Sequence, residues 1–374
     1  MPDGGGEPQP GAAATGPAAD GAAPSSAARP VPPSPQPPRC TAAAAISELP
    51  IRQRLAQLLM VGVDASGPAE ARKAVSSEQV GGIFLTGDAT ALLTGGALER
   101  LQQAATIPVA VAVDEEGGRV QRLENLDGKL PSAREMAQTM TPRQVYELAL
   151  QRGEAMRDRG VTVDLAPSVD VSDQPDNAVI GDRSFSDDPV VVTRYVDAFA
   201  QGLRDSGVLP VFKHFPGHGQ GDGDSHSGAV TTPPLDELRR LDLLPYQRVL
   251  NPQSAVMLGH LDVPGLTEPG TPASISPATL ALLRDELGFD GLVLTDDLAA
   301  MRAITDRVDL PEAVRQSLAA GVDMALWITS EELDEVLDHL EQSIADGSLP
   351  EQRVNEAVGN VLAAKGVDPC AVRG

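Results

Sequence analysis

The sequence predicts an α/β protein: a single (β/α)8 TIM barrel preceded by a disordered N-terminal tether. Three observations predict it. After about residue 46, short β-rich apolar runs alternate with helical segments; eight such runs can be counted; and ionisable residues recur at their ends. Near-continuous apolar strands separated by amphipathic helices make a parallel sheet covered by helices. Eight such units in roughly 320 residues fit a closed barrel. An open, doubly wound sheet is the alternative, because the same alternation serves both architectures.

The strands, in order, are QLLMVGV (57–63), VGGIFLTG (80–87), IPVAVAVDEE (107–116) and TVDLAPSVDV (162–171). They continue with LPVFKHF (209–215), SAVMLGHLDV (254–263), FDGLVLTDD (289–297) and GVDMALWI (321–328). Between them, PRQVYELALQRGEAMRDR, DPVVVTRYVDAFAQGLRDS and LDELRRLDLLPYQRVL place apolar residues at helical spacing. The last segment, EQRVNEAVGNVLAAKGV, reads as one closing helix.

Residues 1–40 are a different material, nearly all Pro, Ala, Gly and Ser without apolar periodicity. Such a stretch buries too little surface to offset its ordering entropy, so it is expected to be a disordered tether. The folded domain is then 41–374. Cys40 and Cys370 are the two cysteines. If the fold brings its ends together they can form a disulfide, which would place the protein outside the cytoplasm; two free thiols are the other reading.

Composition limits the function. Hydrophobic residues make up 41% and aromatics 3%, so the core is built mainly from Ala, Val, Leu and Ile. A net charge of -24 repels nucleic-acid phosphates and anionic membrane surfaces, so no nucleic-acid partner is expected. No apolar run is long enough for a transmembrane helix, and the N-terminus lacks the pattern of a signal peptide.

In a barrel the strand ends converge on one rim, where active sites lie. That rim gathers Asp114, Asp170, Lys213, His214, His260, Asp262, Asp296 and Asp297. The loop KHFPGHGQGDGDSHSG (213–228) also holds three of the five histidines. Its five glycines and one proline preclude regular structure and suggest a mobile loop that carries chemistry. His214, His218, Asp224 and His226 can be read as ligands of a metal-dependent hydrolase. However, Pro216 and Gly217 break the helix that an i, i+4 histidine pair would need, so no metal is expected.

Four blocks carry a resemblance to a known family. They are VDEEGGRVQR (113–122), IGDRSF ending at Phe185, KHFPGHG followed by DSH (213–226), and LTDDLAAM (294–301). The chain resembles glycoside hydrolase family 3, and within it the bacterial β-N-acetylglucosaminidases, over essentially everything after the tether. The resemblance implies a retaining mechanism with Asp296 as nucleophile. Asp297, on the opposite face of the strand, would anchor the loop. It implies His226 as general acid/base, oriented by Asp224. Imidazole suits this role because it titrates near neutral pH.

The same resemblance places Asp114, Arg122, Arg183, Lys213 and His214 against the hydroxyls of the terminal sugar. Arg122 and Arg183 have a structural alternative, pairing with acids such as Glu124 or Asp182. Glu115 and Glu116 are expected to brace Arg119 or the strand end, His218 to tie the base of the loop to the barrel, and His339 to lie on a solvated helix face. The implied activity is removal of terminal β-linked GlcNAc from a GlcNAc-containing saccharide such as a peptidoglycan fragment. It needs no cofactor and is expected of a monomer. Phosphorolysis, β-glucosidase activity and a non-catalytic sugar-binding role are the alternatives. The tether and the cysteines favour the cell envelope or secretion, and the missing signal favours the cytoplasm.

Overall fold

The computed structural model describes residues 40–87 and 90–372; the expected tether, 1–39, lies outside them. Eight parallel strands close into a barrel in sequence order. They are β1 (Leu59–Asp64), β2 (Gly82–Thr86), β3 (Ala110–Val113), β4 (Val163–Asp164), β5 (Leu209–Phe215), β6 (Ala255–Leu258), β7 (Leu292–Asp297) and β8 (Met324–Trp327). Closure comes from β8 pairing with β1, Leu59 opposite Ala325. The open-sheet alternative is therefore excluded.

Every predicted run contributes a strand, but β4 is cut to two residues. Pro167 explains the shortening, since proline has no N–H for the ladder. Beyond it the chain regains β5 only through a single bridge between Ser168 and Lys213. The short β4 leaves Ser168 to Asp170 outside the regular ladder, held beside the end of β5 by that bridge and by the Val169 N–H donating to the Lys213 carbonyl at 2.6 Å.

Two register shifts lie at the end of the barrel where the strands terminate. Between β5 and β6, Phe212 faces Val256 but Phe215 faces Leu258, so one extra residue is accommodated around Lys213 and His214. Between β7 and β8, Met324 faces Leu294 but Leu326 faces Asp297, which places a second shift around Thr295 and Asp296. Such irregularities twist a strand locally and re-aim its side chains.

The outer layer follows the predicted amphipathic segments. Helix Pro142–Arg159 starts with a capping box between Thr141 and Gln144 and stops at Gly160, whose φ of 93° favours glycine. It packs on helix Pro189–Ser206 through a close approach. A Cβ on Gly202 would lie 2.5 Å from the Tyr146 carbonyl oxygen. The closing helix is Glu351–Ala364, and Cys40 is bonded to Cys370, which ties the two ends of the described domain together. Among the described residues no helix is long and apolar enough to cross a membrane.

Candidate active site

The rim at the C-terminal ends of the strands holds a connected set of buried charges. Lys213 is 3% exposed, and its Nζ lies 2.6 Å from Asp114 Oδ1 and 2.7 Å from Glu116 Oε1. Glu116 also accepts two bonds from Arg183, at 2.9 Å from Nε and 2.7 Å from Nη2. Two acids thus meet two cations across β3, β5 and the segment Gly181–Arg183. Burial alone would push the Glu116 carboxyl up, but the adjacent Arg183 and Lys213 outweigh it and hold the carboxyl well below its usual range. Lys213 is shifted up: burial opposes its charge, and Asp114 and Glu116 overcome that.

His214 occupies the centre. Its Nδ1 lies 2.7 Å from Asp170 Oδ2, so Nδ1–H donates to the carboxylate. Its Nε2 lies 3.4 Å from Arg183 Nη2 and 4.0 Å from Asp296 Oδ2. Asp170 is buried, and its other oxygen accepts the backbone N–H of His218 at 2.7 Å. Burial raises the Asp170 pKa, but His214 and the further bonds bring it down to about 2. Ser168 donates to the same carboxylate at 3.0 Å. The segment freed by the shortened β4 therefore orients the imidazole.

The Asp296–Asp297 pair divides as strand alternation predicts. Asp297 is buried and accepts the backbone N–H groups of Ala299, Ala300 and Ile328 at 3.0, 3.0 and 3.1 Å. It is a structural brace for the turn after β7. Asp296 turns into the site, where Oδ1 accepts the Asp297 N–H and Oδ2 faces His214. Burial raises its pKa, but His214 and His260 outweigh that and shift it below the ordinary aspartate value. Asp296 is therefore anionic near neutral pH, the state a nucleophile needs.

The glycine-rich loop follows β5 and is tied by Ser225 to the segment after β7. Asp224 and His226 are paired, Nδ1 to Oδ1 at 2.9 Å, and both are well exposed, with side chains 43% and 59% accessible. The backbone N–H of His226 donates to the same oxygen at 2.9 Å. The loop is anchored at several points, which the expectation of a freely mobile segment did not include. Asp222 and Thr231 exchange bonds, Val230–Thr231 pairs with Leu261–Asp262, and the Ser225 carbonyl accepts the Ala303 N–H at 3.0 Å.

Several expectations need correction. Glu115 and Glu116 do not brace Arg119. Glu115 is fully buried against Arg152 at 2.7 Å and accepts the backbone N–H groups of Arg122 and Leu123. Arg119 instead bonds Asp182 and the carbonyls of Val179 and Ile180, pinning the segment that carries Arg183. Arg183 pairs with Glu116 rather than Asp182. Among the described residues Arg122 pairs with no acid; its guanidinium donates to the Gln121 carbonyl at 3.2 Å. His218 secures the turn through its backbone N–H, while both ring nitrogens are buried without a partner.

His260 and Asp262 leave the site. The His260 Nε2–H donates to the Asp297 carbonyl at 2.8 Å and Nδ1 accepts from Ser274, so it is structural. Asp262 is held by Arg307 through two bonds. His339, half-buried on its helix, lies 3.1 Å from Glu312. Reading the sequence put Asp170 on the rim without assigning it a role, and missed Glu116 as a site residue. The position of each at a strand end was the available signal.

Among the described residues no group of three or more His, Cys, Asp or Glu side chains is arranged to hold a metal ion. The rim instead offers an ionised carboxylate, Asp296, beside a fixed imidazole. A second, exposed carboxylate–imidazole pair, Asp224 and His226, sits on the glycine-rich loop after β5. That combination suits nucleophilic attack and proton transfer at one centre.

Comparison with known proteins identifies the family. The chain is 52% identical over 339 residues to beta-hexosaminidase LpqI of Mycobacterium tuberculosis, covering 88% of this chain and 87% of the relative. The solved M. tuberculosis LpqI structure superposes with a TM-score of 0.83 at 51% identity, covering 89% of this chain and 98% of that one. A family 3 β-N-acetylglucosaminidase from Paenibacillus sp. superposes with a TM-score of 0.80 at 33% identity, covering 87% of this chain and 64% of that one. The model of the glycosyl hydrolase family 3 N terminal domain matches residues 50–364. With its closed parallel barrel and acid-lined rim, the chain belongs to glycoside hydrolase family 3.

Proposed function

We propose that the protein is a β-hexosaminidase that removes terminal β-linked GlcNAc with retention of configuration. Asp296 is the nucleophile and the Asp224–His226 pair supplies the acid and base. The observation that carries this reading is the pairing of His226 Nδ1 with Asp224 on the loop after β5, together with an ionised Asp296 at the end of β7. Asp224 keeps the proton on Nδ1 and stabilises the imidazolium. The protonated Nε2 gives its proton to the departing glycosidic oxygen as the Asp296 carboxylate attacks the anomeric carbon. Neutral His226 then takes a proton from the water that releases the sugar.

Asp114, Lys213, Arg183 and His214 bind the hydroxyls of the terminal sugar, and Arg122 is a further donor. Charged donors and acceptors in a dry pocket discriminate strongly between sugars. A GlcNAc-containing cell-wall saccharide is the natural substrate in this reading. The Cys40–Cys370 bond supports a location in the cell envelope, since cytosolic thiols stay reduced. A site assembled entirely from one chain supports a monomer as the working unit.

The test compares leaving groups. Asp296→Ala is expected to be nearly inactive on every substrate. His226→Ala should lose far more activity on a GlcNAc disaccharide than on nitrophenyl-β-GlcNAc, whose leaving group needs no proton. Equal losses on the two substrates would remove His226 from the acid role. A preference for the nitrophenyl glucoside would overturn the GlcNAc assignment.

A further inference from the structure

A cavity of about 950 Å³ lies away from the rim. It lies at the opposite end of the barrel, where strands begin and helices finish. Its inner wall is apolar and comes from the first residues of several strands, including Met60, Ala110, Val163, Leu294 and Met324. Its mouth is bordered by the C-terminal end of helix Pro142–Arg159 and by the residues after the closing helix. The volume is at the upper end of what small-molecule sites need.

Two cations that line this cavity pair with no acid among the described residues, Lys365 and the exposed Arg157. Lys365 Nζ donates to Gln57 Oε1 at 2.8 Å, and its other two N–H donors find no acceptor among the described residues. The residue is half-buried at the surface, while burial of its ammonium pulls the pKa down to about 7. Arg159 at the same mouth is already paired with Asp127. The acids Glu99 and Asp158 also reach the mouth, but both are exposed and neither pairs with Lys365. A partly buried ammonium lacking a counter-charge is unfavourable, and an anionic group would relieve it.

We propose that this cavity is a second binding site, taking an aliphatic carboxylate whose chain lies along the apolar wall and whose head group meets Lys365. An apolar wall with the unpaired Lys365 at its edge selects an amphiphile of that polarity. A sugar leaves the wall unsatisfied, and an aliphatic amine repels the ammonium. The occupant sits at the far end of the barrel from Asp296 and does not compete with the sugar.

Calorimetric titration of the full chain with dodecanoate, kept below its micelle concentration, tests the assignment. One-to-one binding is expected, with dodecylamine and dodecanol much weaker. Lys365→Met should weaken dodecanoate about 10- to 100-fold, the loss expected for one charge-assisted bond. Lys365→Arg should retain binding, and both variants should hydrolyse nitrophenyl-β-GlcNAc like the parent. Should Lys365→Met fail to fold, Leu209→Trp supplies the same test by filling the mouth from the half-buried start of β5. Absence of dodecanoate binding, undiminished binding by Lys365→Met or Leu209→Trp, or equal binding of the amine would each overturn the proposal. So would binding confined to anionic phospholipid vesicles. None of these outcomes bears on hydrolysis, so the two assignments fail independently.

Discussion

Glu116→Gln is the most informative single change, because Glu116 is the one acid shared by both buried cations. The carboxylate receives Arg183 at 2.9 and 2.7 Å and Lys213 at 2.7 Å. Glutamine keeps the shape but leaves one oxygen, and turns an N–H2 group toward a cation. Lys213 retains Asp114, whereas Arg183 keeps only the Val179 carbonyl at 3.3 Å and the His214 ring. Orphaning one partner of a buried pair costs about 3–5 kcal/mol. The Arg183 side chain is 16% exposed and so recovers some hydration, which favours the lower end, about 3 kcal/mol. At about 2–4 °C per kcal/mol for a large domain, the melting temperature should fall by roughly 6–12 °C. Hydrolysis of nitrophenyl-β-GlcNAc should lose about tenfold or more in kcat/KM, as Arg183 and Lys213 shift from the sugar. The double variant Glu116→Gln/Arg183→Met removes the orphaned charge and should lose less stability than the two single losses summed, by about 1 kcal/mol or more. Strict additivity, or a melting temperature unchanged in Glu116→Gln, would refute the reasoning.

Three further predictions rest on separate features. Asp297→Ala should destabilise by about 3 kcal/mol, because three backbone N–H groups lose their acceptor. Asp296→Asn should abolish turnover with little change in urea midpoint; reversed phenotypes would exchange the two roles. Burial, with Asp170 nearby, raises the Asp242 pKa from 3.8 to about 8. The native state therefore holds a proton that the unfolded chain has released, and stability falls as pH rises between these values. Asp242→Asn should flatten this slope, and parallel stability curves for the two proteins would contradict it. Reduction of Cys40–Cys370, which closes a loop spanning a sequence separation of 330, should lower stability by about 3–5 kcal/mol in urea titrations. A midpoint unmoved by reductant would show that the ends are held by packing alone.

The candidate site was legible where a local rule governs it. The family resemblance assigned Asp296 to the pocket, strand alternation then put Asp297 on the other face, and their bonding divides that way. The same rule would have sent Lys213 and His214 to opposite faces, yet both serve the site, because the register slips where they lie. The bridging role of Glu116 was not legible, because its partner Arg183 is 67 residues further along. Nor was that of Asp170, whose imidazole partner is 44 residues away. The expected Glu116–Arg119 contact failed because Arg119 has nearer acceptors in the chain segment it pins.

What the sequence determined by itself is the alternation of strand and helix, the barrel that follows, and the identities of the reactive groups. These depend on apolar periodicity and on residue chemistry, both of which are local. The tertiary structure alone decided which acid faces which cation, which histidine is oriented and which is structural, and where an unpaired lysine meets an apolar cavity. Those outcomes depend on distances of a few ångströms between residues far apart in the chain. Coulomb energies and hydrogen bonds change steeply over that range, and no periodicity along one strand or helix encodes them.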